Sequence, residues 1–368
     1  MLKKVEEKIN NTEELTFEEL LYLYQLQDIT KLASLATIIR SKINGNKVFY
    51  NKNFHLEPSN VCKHRCKFCS FRRDSQEEDG AWTMSLEEIE HFCKQKYSKG
   101  ITEVHIVGSV NPDRDFNYYC DIVAKVKSLL PKNVTVKGYS AVEIWDMCHQ
   151  AGYTLEQGLL KLKNAGLEAI PGGGAEIFNP KVRSIICPDK INAQQWLQVH
   201  KTAHNLGIHS NATMLFGHIE SREDRIEHLL MLRELQKQTN GFDAFIPLKY
   251  RIANNGLGSS SSDIGDKYVK REVDVVEVLK TFAISRLALM NIPHIKAYWP
   301  MLGKDLSQMA LLFGADDIDG TINDSTKIYS MAGAEEKNPG LSAEELKMLA
   351  EHAGFVALER DSYYNIVN

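Results

Sequence analysis

No stretch of this 368-residue chain approaches the roughly 18 consecutive apolar residues that a membrane-crossing helix requires. Its first residues, MLKKVEEKINNTEEL, are charged and lack the apolar core of a secretory signal. Both lacks lead to the expectation of a cytoplasmic protein with no membrane partner. Positive charge is not in excess: 44 Lys and Arg stand against 48 Asp and Glu, a formal net charge of −4. Such a balance gives no reason to expect a nucleic-acid partner. Cysteine is sparse, and seven residues spread over this length do not make a disulfide framework. Cys93, Cys120, Cys148 and Cys187 stand singly and read as small buried hydrophobes. The remaining three stand together.

What is present is ordinary globular composition, 43% hydrophobic and 25% charged, enough for a large core. Residues 1–50 read as a helical extension. LTFEELLYLYQL carries a Thr16–Glu19 capping box, and DITKLASLATIIRSKING continues as a helix that Gly45 stops. Short β-rich runs then alternate with longer amphipathic ones. KNFHLEPSN, TEVHIVGS, VTVKGYS, LEAIPGGG, IHSNATMLFG, DAFIPLKY, PHIKAYW and ADDIDGTI read as strands. Helices are expected from Ser85 and over 115–130, 154–165, 192–206, 221–238, 270–290 and 304–313. About eight strand–helix alternations predict an α/β fold, a (βα)8 TIM-type barrel over 51–320, with 321–368 as an α/β tail packed on it. NNGLGSSSSDIGD, 254–266, reads as a loop.

In such barrels the reactive groups sit at the C-terminal strand ends. EPSNVC, VGSVNP, GYSAVE, PGGGAE, NATMLFGH and IPLKY fall there. The first leads into CKHRCKFCSF, with Cys62, Cys66 and Cys69 spaced by three and two residues. Lys63, His64, Arg65 and Lys67 between them favour thiolates, the metal-binding form. A zinc site would need His64 as fourth ligand, only two residues from Cys62, and no second C-x2-C pair completes a zinc ribbon. A 4Fe–4S cluster on three thiolates leaves one iron open, as catalysis requires.

C-x3-C-x2-C after the first barrel strand, with Phe68 and Phe71 beside the third cysteine, resembles the radical S-adenosylmethionine (SAM) family. The resemblance implies that SAM chelates the open iron and is cleaved by one electron to methionine and a 5′-deoxyadenosyl radical. It implies a reducing donor such as flavodoxin or ferredoxin. It places Phe68 and the Gly108–Ser109 turn beside SAM, although the Gly-Gly and His-Pro of close relatives are replaced here by Ser109 and Asn111. It gives the ribose hydroxyls to Glu176, with Glu143 as competitor, and Arg183 a carboxylate. Asn211 and Thr213 share strand parity and point into the barrel together; Asn211 is assigned to SAM. Thr213, Arg183 and His218 are the catalytic candidates, with Tyr250 and Arg251 as further carboxylate ligands. His200 and His204, four residues apart on a crossover helix, read as packing outside the barrel.

IPGGGAEIFNPKVRSIICPDK, HKTAHNLGIHSNATMLFGHIE and GFDAFIPLKY are similar to the branch that serves the futalosine route to menaquinone and deazaflavin synthesis. WLQVHKTAH, SNATMLFGHIE and KIYSMAGAE resemble its aminofutalosine synthase subfamily. The sister cyclases tend to carry Trp where Leu248 stands. The resemblance implies that the adenosyl radical adds to the enol-ether double bond of 3-[(1-carboxyvinyl)oxy]benzoate, with rearrangement and decarboxylation. A dehypoxanthine futalosine cyclase or an enzyme like the deazaflavin synthases is the alternative, and a zinc-stabilised binding protein a remote one.

Overall fold

The computed structural model describes residues 1–258 and 269–367. Residues 259–266 of the expected 254–266 loop lie outside the described residues.

Ten strands are described: β1 Lys47–Asn51, β2 Asn53–Leu56, β3 Glu103–Ile106, β4 Thr135–Gly138, β5 Ala169–Ile170, β6 His209–Phe216, β7 Phe242–Lys249, β8 His294–Ile295, β9 Asp317–Gly320 and β10 Val356–Glu359. β2 to β8 form one all-parallel sheet in chain order. Crossover helices separate these strands, as parallel neighbours require. The sheet curls into a TIM-type barrel of the α/β class. β9 takes the eighth position: it pairs with β1 and meets the end of β8 through a Lys296–Asp317 bridge. That seam also holds Ala297 N–H donating to Asp317 O at 2.7 Å and Phe49 N–H donating to Asp316 O at 2.7 Å. The eight strand-like runs read from the sequence are β2 to β9.

The boundary expected at residue 50 needs correction. Lys47–Asn51 is a strand, and β10 pairs with it in parallel, so the segment before the barrel and the C-terminal tail share the sheet β10-β1-β9. Asn44 closes the last N-terminal helix, and Gly45 follows with φ +61°. Both expected capping boxes form, Thr16 Oγ1 accepting from Glu19 N–H and Ser85 Oγ from Glu88 N–H. The N-terminal helices cover helix Val275–Ala288, which is buried on every face from Val278 onward. Such a helix needs apolar cover all round. Tyr24 Oη lies 2.7 Å from Thr281 Oγ1, and Lys280 Nζ donates to Leu26 O at 2.6 Å.

Candidate active site

The loop after β2 carries Cys62, Cys66 and Cys69 to the C-terminal mouth of the barrel. Backbone bonds hold it in place: Cys62 N–H to Arg73 O, Lys63 N–H to Val110 O and Lys67 N–H to Ile186 O. All three cysteines, with Phe68, line a cavity of about 240 Å³. No disulfide links them. His64 Nε2 is 2.6 Å from Asp146, and no three His, Cys, Asp or Glu side chains among the described residues converge on a single-ion position. Three thiols in one short loop, with His64 paired to Asp146, would suit a cluster that takes three protein thiolates better than a four-ligand zinc.

Two cations reach the thiols: Arg72, just past the cysteine loop, and one that the loop sequence does not suggest. Lys63 turns to Asp146 at 2.7 Å, and Arg65 is exposed. Lys190, from a loop more than a hundred residues on, lines the cavity. Burial pushes the Cys66 thiol well up, and the Lys190 charge works against that. Burial also raises the Cys62 thiol. Nothing local in the sequence marks Lys190.

At the end of β3, Gly108 is required for packing. A Cβ there would meet Ser59 O at 2.8 Å, so the turn lies flat on the strand of chain leading to Cys62. Ser109 Oγ donates to Val61 O at 2.6 Å, bracing the same segment while lining the cavity. Asn111 is drawn away: its Nδ2 donates to Ser59 Oγ and Thr83 Oγ1, both at 3.0 Å.

Glu143 is not a strand-end residue as expected but the third residue of helix Ala141–Gln150, closing a capping box with Ser140. Its carboxylate accepts from Ser140 N–H, Ser140 Oγ and Gly108 N–H, tying the ends of β3 and β4 together at the cavity wall. Burial raises its pKa, opposed by those donors. After β5, Gly172 (φ +87°) and Gly174 (φ +85°) have no room for a side chain; a Cβ would meet Asn211 O at 2.2 Å and Val142 Cγ2 at 2.5 Å. That turn delivers Glu176, itself at φ +50°, into the cavity, where Oε1 lies 2.6 Å from Lys190 Nζ.

Two catalytic candidates are corrected. Arg183 is buried, and its guanidinium donates to the carbonyls of Ala175, Ile177 and Ile191. It braces the loop that carries Glu176 and does not line the mouth cavity. His218 has a fully buried side chain 3.0 Å from Glu220, with Nε2 3.1 Å from Leu215 O. Glu220 also meets Arg225, which bonds Glu277 and Tyr24. Burial resists ionisation of Glu220, but His218 and Arg225 outweigh it and hold its carboxyl far down. This network ties the N-terminal helices to the barrel. His218 sits behind Tyr250, whose Oη donates to Asn255 Oδ1 at 2.7 Å. Tyr250 and Arg251 do line the cavity.

Asn211 and Thr213 do point inward together, into a second chamber of about 90 Å³ inside the barrel. Thr213 Oγ1 donates to Gly172 O at 2.8 Å. The chamber shares Val107, Gly173, Leu248, Ile328 and Tyr329 with the mouth cavity, so the two adjoin across these residues. Its other walls were not singled out from sequence: His55, His105, Lys137, Lys296 and Tyr298. Strand position places His55, His105 and Lys137 on β2, β3 and β4, whereas Lys296 and Tyr298 follow β8. Ile328 and Tyr329 come from the tail, held by Glu57, which accepts from the Thr326 hydroxyl and the Lys327 and Ile328 amides. His200 and His204 both approach Ser210 Oγ at 2.8 Å on the outer face, the packing role expected of them.

A barrel with three loop thiols at its mouth, and a polar chamber beneath them, defines an iron–sulfur enzyme with an exchangeable ligand position. Residues 56–232 match the Radical SAM superfamily, and residues 239–368 match the CofH/MqnC C-terminal region. The chain is 40% identical to aminodeoxyfutalosine synthase of Thermus thermophilus, over 99% of this chain and 95% of that one. It is 36% identical to 5-amino-6-(D-ribitylamino)uracil–L-tyrosine 4-hydroxyphenyl transferase of Methanococcoides burtonii, over 96% of both. The crystal structure of methylornithine synthase shares the fold, with a TM-score of 0.72 at 19% identity over 96% of this chain and 97% of that one. The chain belongs to the radical SAM superfamily, and its cofactors are a 4Fe–4S cluster and SAM. No helix among the described residues is long and apolar enough to cross a membrane.

Proposed function

We propose that this chain acts as an aminodeoxyfutalosine synthase in menaquinone biosynthesis. It joins the 5′-deoxyadenosyl group of SAM to the enol-ether double bond of 3-[(1-carboxyvinyl)oxy]benzoate, with rearrangement and loss of carbon dioxide, to give 6-amino-6-deoxyfutalosine. The observation that carries this reading is the pair of adjoining cavities: thiols line the outer one, the inner one is polar, and the apolar Val107 and Leu248 line both. That shape suits a flat substrate with an anionic group at each end. Its support from comparison is the 40% identity over nearly the whole chain.

When bound, the cluster supplies the electron that splits the sulfonium C–S bond of SAM. The residues do the rest. Cys62, Cys66 and Cys69 would hold the cluster, and Phe68 lines the same cavity. Gly108, Ser109 and Glu143 fix the cavity wall against the cysteine loop, and Glu176 offers its second oxygen to the ribose hydroxyls. Lys190 and Arg251 face the mouth as cations for carboxylates. Val142, Leu215, Leu248, Met301 and Ile328 exclude water, which would quench a radical. The reducing donor is of the flavodoxin or ferredoxin class.

Product mass tests the reading. Reduced enzyme with SAM and the enol ether should yield the adenosylated product, whereas 5′-deoxyadenosine released with no adduct would sink it. The 36% identity to the tyrosine transferase favours a second reading. It predicts turnover of tyrosine with 5-amino-6-(D-ribitylamino)uracil in the same assay. Leu248 speaks against the cyclase alternative, because a Trp at this shared wall would take up space where the cavities adjoin.

A further inference from the structure

The inner chamber holds polar groups that the protein leaves unsatisfied. His55 is 2% exposed, and its Nε2 has no hydrogen-bond partner. Neither has Nε2 of His105, whose ring centre is 4.4 Å from that of His55. Buried polar atoms without partners destabilise a fold, so such a pair points to an occupant. Two ammonium groups share the walls. Lys137 Nζ is 2.8 Å from Glu103, and Lys296 Nζ is 2.7 Å from Asp319 and 3.9 Å from Asp317. Each ammonium has three donors.

Charges around the chamber balance: Glu103, Asp317 and Asp319 face Lys137, Lys296 and Arg360, the last 2.6 Å from Asp317. Burial opposes ionisation of Glu103, but Lys137, Lys296 and Arg360 outweigh it. Burial also pushes His55 down to about 4 and His105 well below its ordinary value, so both rings are neutral near pH 7. A neutral imidazole presents one N–H donor, on whichever nitrogen finds an acceptor. No three His, Cys, Asp or Glu side chains among the described residues converge on a metal position. The Lys137 and Lys296 ammoniums, and an imidazole N–H turned into the space, are the donors the chamber can present to acceptor oxygens.

We propose that the inner chamber is the subsite for the ring carboxylate of an aryl carboxylate substrate, with His55, His105 and the Lys296 ammonium donating hydrogen bonds to its oxygens. The assignment rests on the reading above that the substrate is a carboxylated aryl enol ether. The reacting double bond must lie near the thiols. The ring then lies against Val107 and Leu248, which line both cavities, and its carboxylate, the group farthest from the double bond, ends at the imidazoles.

The test is binding rather than turnover. 3-Methoxybenzoate, which has the ring and carboxylate but no double bond to attack, is titrated calorimetrically into the unreduced, SAM-loaded holoenzyme. Wild type should bind it at least about tenfold more tightly than anisole, which lacks the carboxylate, as a buried hydrogen-bonded charge requires. His105→Leu and His55→Leu should each lose about tenfold in affinity for 3-methoxybenzoate while SAM affinity stays the same. His105→Gln, which keeps a donor and protects against a folding failure, should recover part of the loss. Equal binding of anisole and 3-methoxybenzoate by wild type, or unchanged affinity in both Leu variants, overturns the subsite. Binding that depends on both histidines in an enzyme forming no adenosylated product would keep the subsite and dismiss the enol-ether reading. Adduct formation with unaltered KM in both variants would do the reverse.

Discussion

Lys190 Nζ lies 2.6 Å from Glu176 Oε1 and 5.3 Å from the centre of the Phe68 ring, so one cation links the cysteine loop to the loop after β5. Both partners of the ion pair are nearly buried. Breaking such a pair leaves a lone charge at a cost of about 3–5 kcal/mol. Lys190→Met should lower the stability of the cluster-free protein by an amount of that order, and Glu176→Gln on top of it should recover part. Urea unfolding of the single and double variants checks this; additive losses would mean the two residues do not interact.

Cys62→Ala, Cys66→Ala and Cys69→Ala should each abolish SAM cleavage and sharply reduce iron after anaerobic reconstitution. Cys187→Ala provides the contrast. It is buried but does not line the mouth cavity. Iron content and visible absorption should stay at the wild-type level in that variant.

Leu248→Trp should obstruct both cavities. The side chain lines both, and the larger ring would take up space where they adjoin. KM for the enol ether should rise by about tenfold or more, since overfilling a packed site typically costs 1–3 kcal/mol. SAM affinity should change less than that. Initial-rate kinetics beside SAM titration tells whether this junction lies on the substrate path.

His218→Asn should act on stability and not on SAM binding. The imidazole belongs to the buried Glu220–Arg225 network and does not line either cavity. A lower melting temperature with unchanged SAM affinity is expected. Weakened SAM binding at an unchanged melting temperature would return His218 to the site.

Glu57 makes the anchoring of the tail wall pH-dependent. Burial pushes its carboxyl up to about 7, against the Thr326 hydroxyl and the Lys327 and Ile328 amides. The folded pKa is above the unfolded value of 4.5. The protonated group's contribution is therefore complete below that value and is lost as pH rises through about 7. Compared with Glu57→Gln, wild type should lose on the order of 2–3 kcal/mol between about pH 4 and pH 8. Urea midpoints of both proteins at the two pH values give the difference, which should be flat if Glu57 titrates normally.

By itself the sequence determined the alternation of strands and helices, because hydrophobic period and capping residues such as Thr16 and Ser85 act within a few positions. It determined the three-cysteine loop for the same reason: the spacing of Cys62, Cys66 and Cys69 is local. The strand at Lys47–Asn51 was hidden at the end of a helical stretch, because its partners, β9 and β10, lie some 270 and 310 residues away. Only the tertiary structure decided which charges meet. Arg183 and His218 have the right chemistry for a substrate carboxylate, yet backbone carbonyls and Glu220 claim them first. Lys190, His55 and His105 look unremarkable in sequence and become cavity walls because separate strands and loops are brought together around one barrel axis. Residue type and spacing specify what a side chain is able to do, whereas burial and the nearest competing partner determine whether it remains free to do it.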